Sequence, residues 1–95
     1  MSEALILALT TEANQEQAEA LARALLEQRL PPCVALQPQR ALYWWASQIE
    51  ASEEVQLRIQ ARPDQRDALE AAVRHQHSYA PPQFPCWPAQ ATAFS

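Results

Sequence analysis

The sequence predicts an α+β fold: an antiparallel sheet of four strands with two helices on one face, in the order βαββαβ. Three observations lead there. The apolar pattern switches between strand-like and helical periods in that order along the chain. Proline clusters punctuate the joints between segments. Finally, 95 residues suit one compact domain, spanning 1–95, whose own core is modest. A chain of this size buries only roughly 60–65% of the surface its unfolded form exposes, so help from partner subunits is expected.

Ala4-Leu5-Ile6-Leu7-Ala8-Leu9 is a continuous apolar run that suits a central strand covered on both faces, and it stops at Thr10-Thr11. From Asn14 the period becomes helical, with Ala18, Leu21, Ala22 and Leu25 on one stripe. Asn14 and Gln17 form an N-capping pair, and Pro31-Pro32 end the helix, which therefore runs from about Gln15 to Arg29. Cys33-Val34-Ala35-Leu36 opens a second extended segment. A further one, Ala41 to Trp45, carries three consecutive aromatics that must point to both faces. After a turn at Ala46-Ser47-Gln48, Val55, Leu57, Ile59 and Ala61 alternate with polar neighbours, giving a strand with one buried face. Pro63-Asp64 starts the second helix, with Asp64 as its N-cap and Leu69, Ala72 and Val73 on the inner stripe. That helix fails before Pro81, Pro82, Pro85 and Pro88. The order is that of a ferredoxin-like split βαβ fold. Its central hairpin, roughly Cys33 to Arg62, is long for a 95-residue chain and is expected to reach beyond the domain.

Composition excludes several function classes. There is no glycine, so the phosphate-cradling loops of nucleotide folds are ruled out. All seven cations are arginines, which removes Schiff-base chemistry and any lysine base. A net charge of −4 argues against nucleic acid as a partner. The first residues lack a basic n-region and the first apolar run is too short to span a bilayer, so no membrane association and a cytoplasmic location are expected. The two cysteines are then expected as free thiols.

Among side chains that carry chemistry, the serines stand in no glycine-flanked elbow. Cys33 with His75 and His77 leaves a Cys/His dyad open, against the plainer reading of a cysteine filling a strand and histidines ending a helix. His75 and His77 are one residue apart, not the three that align imidazoles on a helix, and no Cys-x-x-Cys exists, so there is no dedicated zinc pair. A site built from Cys33 or Cys86, His77 and a carboxylate such as Glu54 suits copper or another ion that favours thiolate and imidazole. Tyr43, Trp44, Trp45, Tyr79 and Trp87 form a third constellation, read either as walls of a small-molecule cleft or as core and subunit-interface packing.

Together these residues resemble the CutA family of divalent-cation tolerance proteins. The matching pieces are Leu9-Thr10-Thr11, Cys33-Val34, Tyr43-Trp44-Trp45, Glu53-Glu54-Val55 and His77-Ser78-Tyr79-Ala80-Pro81-Pro82, in that order, over about Ala4 to Pro88. The resemblance implies a ferredoxin-like subunit in a tight homotrimer similar to the PII signalling proteins, associated with tolerance of copper and other divalent ions and not with an enzymatic reaction. It also implies cleft residues Cys33, Tyr43, Trp45, Glu54, His77 and Tyr79, of which Cys33 and His77, with Glu54 as oxygen donor, would hold a Cu²⁺ or other divalent cation. A PII-like module whose cleft takes a small metabolite is the alternative.

The chain departs from the family pattern at several points. Pro31-Pro32 replace two alanines before the cysteine. Gln60 and Gln83 stand where the family has a lysine and a glutamate, which removes a cation and an anion and mildly favours the metabolite alternative. The family's tyrosine and tryptophan tail is missing after Phe94-Ser95, so a cleft closed by that tail is expected to be open. Without the family's glycine at Ala46-Ser47, the hairpin turn is expected to form without the positive φ that glycine makes inexpensive.

Overall fold

The computed structural model describes residues 2–30, 33–76 and 85–92. Strand β1 (Ser2–Glu12) leads into helix α1 (Gln15–Glu27). The hairpin strands β2 (Cys33–Trp45) and β3 (Gln48–Ala61) follow, then a 3-10 turn (Pro63–Gln65), helix α2 (Arg66–Gln76) and strand β4 (Cys86–Thr92). The strands form one sheet in the order β2-β3-β1-β4 with every neighbouring pair antiparallel. This is the expected βαββαβ architecture, α+β and ferredoxin-like.

The core lies between the sheet and the helices. Ile6 and Ala8 of β1 and Val55, Leu57, Ile59 and Ala61 of β3 meet Ala18, Leu21, Ala22 and Leu25 of α1 and Leu69 and Val73 of α2. The period-two reading of β3 and the helical stripe of α1 are thus borne out residue by residue. Asn14 caps α1 as expected, its Oδ1 accepting from the Gln17 backbone N–H at 2.9 Å.

Several boundaries differ from the sequence expectation, each for a physical reason. Strand β1 does not stop at Thr10-Thr11. It runs to Glu12, because β-branched threonines fit a pleated strand as well as the leucines before them. Its faces are unequal: Ile6, Ala8, Thr10 and Glu12 are buried under the helices, while Leu5, Leu7, Leu9 and Thr11 on the opposite face are only half-buried. Coverage on both sides is therefore incomplete within one chain. Helix α1 ends before the prolines are reached. Arg29 takes a left-handed φ of 57°, its N–H bonds Leu26 O at 2.9 Å, and the Leu30 N–H reaches back to Leu25 O at 3.3 Å, a Schellman stop. The two extended segments after it are one continuous strand, with Pro38 inside it. A proline is tolerated there because β2 is an edge strand. Asp64 is not the N-cap of α2: it lies in the 3-10 turn and accepts from Arg62 Nε at 3.1 Å, while Gln65 Oε1 takes the Arg62 backbone N–H at 3.0 Å. The hairpin turn also keeps positive φ without glycine, 51° at Ala46 and 65° at Ser47.

Candidate functional site

Register decides which candidate residues share a face. On β2 and β3, Cys33 pairs with Gln60, Gln39 with Glu54, Tyr43 with Glu50 and Trp45 with Gln48. Side chains alternate across the pleat, so Cys33, Gln39, Tyr43 and Trp45 lie with Glu54, Gln56 and Gln60 on the face away from the helices. Val34, Leu36, Leu42 and Trp44 lie on the other. The three consecutive aromatics do point to both faces.

Sharing a face does not bring them together. Glu54 stands opposite Gln39, six positions along β2 from Cys33, a separation of about 20 Å at the rise of a strand. Trp45 lies as far again beyond Glu54. Among the described residues of one chain, no group of three His, Cys, Asp or Glu side chains is close enough to hold a metal ion. Within one subunit, then, Cys33 and Glu54 do not fit a common cation, and His77 and Tyr79 lie outside the described residues. Both cysteines are free thiols, Cys33 exposed and Cys86 half-buried beside the core. Cys33 therefore does not fill a covered strand position in the single chain.

The outer hairpin is the other conspicuous surface. Strand β1 pairs β3 only over residues 55–61, so residues 39–45 and 48–54 form a two-stranded ribbon projecting about 20 Å past the sheet. Its end is apolar on both faces. Trp44 is 72% exposed and Trp45 69%, and Leu42, Tyr43 and Ile49 are exposed with them. An exposed cross-strand ion pair, Arg40 Nη1 to Glu53 Oε1 at 2.9 Å, sits at its base and contributes at most about 1 kcal/mol.

Sequence reasoning missed the polar groups that the sheet puts under cover. Thr10 is 3% exposed and Glu12 1%. Glu12 walls a cavity of about 250 Å³ with Gln17, Ala20, Leu21 and Gln76. On the opposite face, half-buried Gln39, Glu54 and Gln56 are hydrogen-bonded in a row. Parity along β1 carried the signal for Thr10 and Glu12, which continue the Ile6, Ala8 spacing; the row needs the hairpin register, which no single segment reveals.

The family model described as CutA1 divalent ion tolerance protein matches residues 6–94. Over 78 residues the chain is 35% identical to the divalent-cation tolerance protein CutA of Pyrococcus horikoshii, covering 82% of this chain and 76% of that relative. Its fold is similar to the solved structure of CutA from Synechococcus elongatus, with a TM-score of 0.88 and 29% identity over 96% of this chain and 85% of that one. It is also similar to the structure described as the periplasmic divalent cation tolerance protein CutA from Archaeoglobus fulgidus, with a TM-score of 0.81 and 29% identity over 90% and 83% of the two chains. Among the described residues, no helix is long and apolar enough to cross a membrane.

Proposed function

Because the chain belongs to the CutA1 divalent ion tolerance family, we propose that it is a non-enzymatic divalent-cation tolerance protein. In this reading it acts as a homotrimer and takes a divalent ion, copper first, at a site shared between subunits. The observation that carries this reading is the projecting hairpin. A two-stranded ribbon is marginal on its own, and one with Leu42, Trp44 and Ile49 exposed on one face and Tyr43 and Trp45 on the other needs a partner surface. The half-buried Leu5, Leu7 and Leu9 face of β1 and the long open edge of β2 are surfaces of the kind it needs, and pairing that edge removes an aggregation hazard.

The same assembly answers the separation of the candidate ligands. Cys33 and Glu54 share a face but stand about 20 Å apart, so a common ion requires a thiolate from one subunit and a carboxylate from the hairpin of another, with His77 completing the set. Thiolate, imidazole and carboxylate together favour copper over magnesium or calcium. Tyr43 and Trp45, next along the hairpin, would wall such a cleft.

Light scattering is expected to give three times the 10.7 kDa chain mass, and a stable monomer would refute the shared site. In a copper titration, Cys33→Ser with His77→Ala, and separately Glu54→Gln, are expected to weaken binding by about tenfold or more; equal affinities would remove the site. A PII-like module taking a small metabolite is the second reading. It is favoured by Gln60, a neutral hydrogen-bonding group paired with Cys33 where the family resemblance implies a cation, and a thermal-shift screen of nucleotides and organic acids tests it. We also place the protein in the cytoplasm, which subcellular fractionation checks against the periplasmic description of the Archaeoglobus relative.

A further inference from the structure

The leucine face of the sheet carries a cation that nothing within one chain answers. Arg58 on β3 stands opposite Leu9 on β1 and Ala35 on β2. Side-chain alternation puts it on the side away from the helices, with the half-buried Leu5, Leu7 and Leu9. Trp87, opposite Leu7, extends the same apolar surface onto β4. The four strands contain two cations, Arg40 and Arg58. Arg40 is paired with Glu53, whereas Arg58 is exposed and has no ion pair among the described residues.

In the homotrimer reading this face is covered, and a guanidinium sealed under leucines without a counter-charge is strongly destabilising. The covering surface must therefore bring a carboxylate. The hairpin offers three, Glu50, Glu53 and Glu54. Glu53 is held by Arg40 at 2.9 Å, and Glu54 accepts from Gln39 at 2.7 Å. Glu50 is exposed, and its carboxylate has neither an ion pair nor a hydrogen bond among the described residues. It stands directly opposite Tyr43, on the face that also carries Trp45.

We infer that Glu50 on the hairpin of one copy receives Arg58 on the sheet face of a second copy of this chain. The inference rests on the homotrimer reading and names the contact that sets its register. Hydrophobic burial is non-directional, so leucines against tryptophans are favourable at many offsets. One cation on a leucine face and one uncommitted anion on an aromatic face leave few. Arginine suits the contact, because its planar fork takes a carboxylate bidentately while its flat side lies against an aromatic ring, here that of Tyr43. Docking in another register buries both charges unpaired. The contact uses none of the three proposed metal ligands, so it holds whether or not an ion is bound.

The test is a charge swap in the full chain, followed by sedimentation over a dilution series in urea and read as the protein concentration at which the assembly is half dissociated. Glu50→Arg alone and Arg58→Glu alone should each raise that concentration by about a hundredfold or more. Combining the two should restore most of the loss. Glu53→Gln, which alters a carboxylate already paired with Arg40, should change it little. If Arg58→Glu does not fold by circular dichroism, the neutral set Glu50→Gln, Arg58→Gln and their combination replaces it. The contact then requires the combination to cost markedly less than the two single changes together. A wild-type trimer in which the paired changes are merely additive overturns the contact and leaves the homotrimer standing. A monomeric wild type refutes the homotrimer and the contact with it.

Discussion

Thr10 shows how one side chain can stand against the stability of its surroundings. It is 3% exposed on the core face of β1, and its hydroxyl has no partner among the described residues. A buried polar group left unmatched costs about 1–3 kcal/mol. Thr10→Val keeps the shape and removes that cost, so the variant is expected to be more stable by about 1 kcal/mol, read as a higher denaturation midpoint. A lower midpoint would mean that the hydroxyl is satisfied in solution. The apolar run that marks β1 in the sequence stops at Thr10-Thr11. Burial here follows parity along β1 instead, and parity puts Thr10 and Glu12 in line with Ile6 and Ala8.

At the scale of elements, the ends and turns are where a chain without glycine shows strain. Arg29, Ala46 and Ser47 all adopt positive φ, a region that disfavours residues bearing a Cβ by roughly 1–2 kcal/mol each. Positive φ at both central residues is the signature of the type I′ turn, whose twist matches that of the flanking strands. Without glycine, positive φ at this turn is disfavoured. The twist of β2 and β3 overrides that preference, because many cross-strand pairs depend on this one connection. Ala46→Asn with Ser47→Gly is therefore expected to stabilise the protein by about 1–2 kcal/mol without altering its assembly. Chemical denaturation and light scattering of the double variant check both halves of that statement. Helix α1 teaches the same lesson. Pro31-Pro32 gave a plausible stop, yet the helix closes at Glu27 through Arg29 and Leu30, since a Schellman stop needs one left-handed residue and satisfies the last carbonyls at once.

For the whole molecule, the order of elements, the core stripes and the excessive length of the hairpin were legible in the sequence, because each rests on a local period. The candidate metal site was legible only as residue types. Cys33 and Glu54 suit one another chemically, but their separation along the sheet depends on the β2–β3 register, which composition and spacing leave open. His77 and Tyr79 fall outside the described residues. The assembly proposal makes the aromatic end of the hairpin decisive. Trp44→Glu, at a position 72% exposed in the single chain, would be nearly neutral on a free ribbon. It is expected to break the trimer into smaller species if the ribbon lies against another subunit. Sedimentation of the variant beside the wild type distinguishes the two, and an unchanged mass would move the interface away from Trp44.

The pairing of β1 with β4 has a kinetic consequence. Ser2 stands opposite Thr92 and Ala8 opposite Cys86, so β1, which precedes the other described strands in the chain, takes its second neighbour from the one that follows them all. Contacts this distant in sequence form slowly, and β1 keeps an open edge until they do, beside a hairpin whose tryptophans are exposed in the single chain.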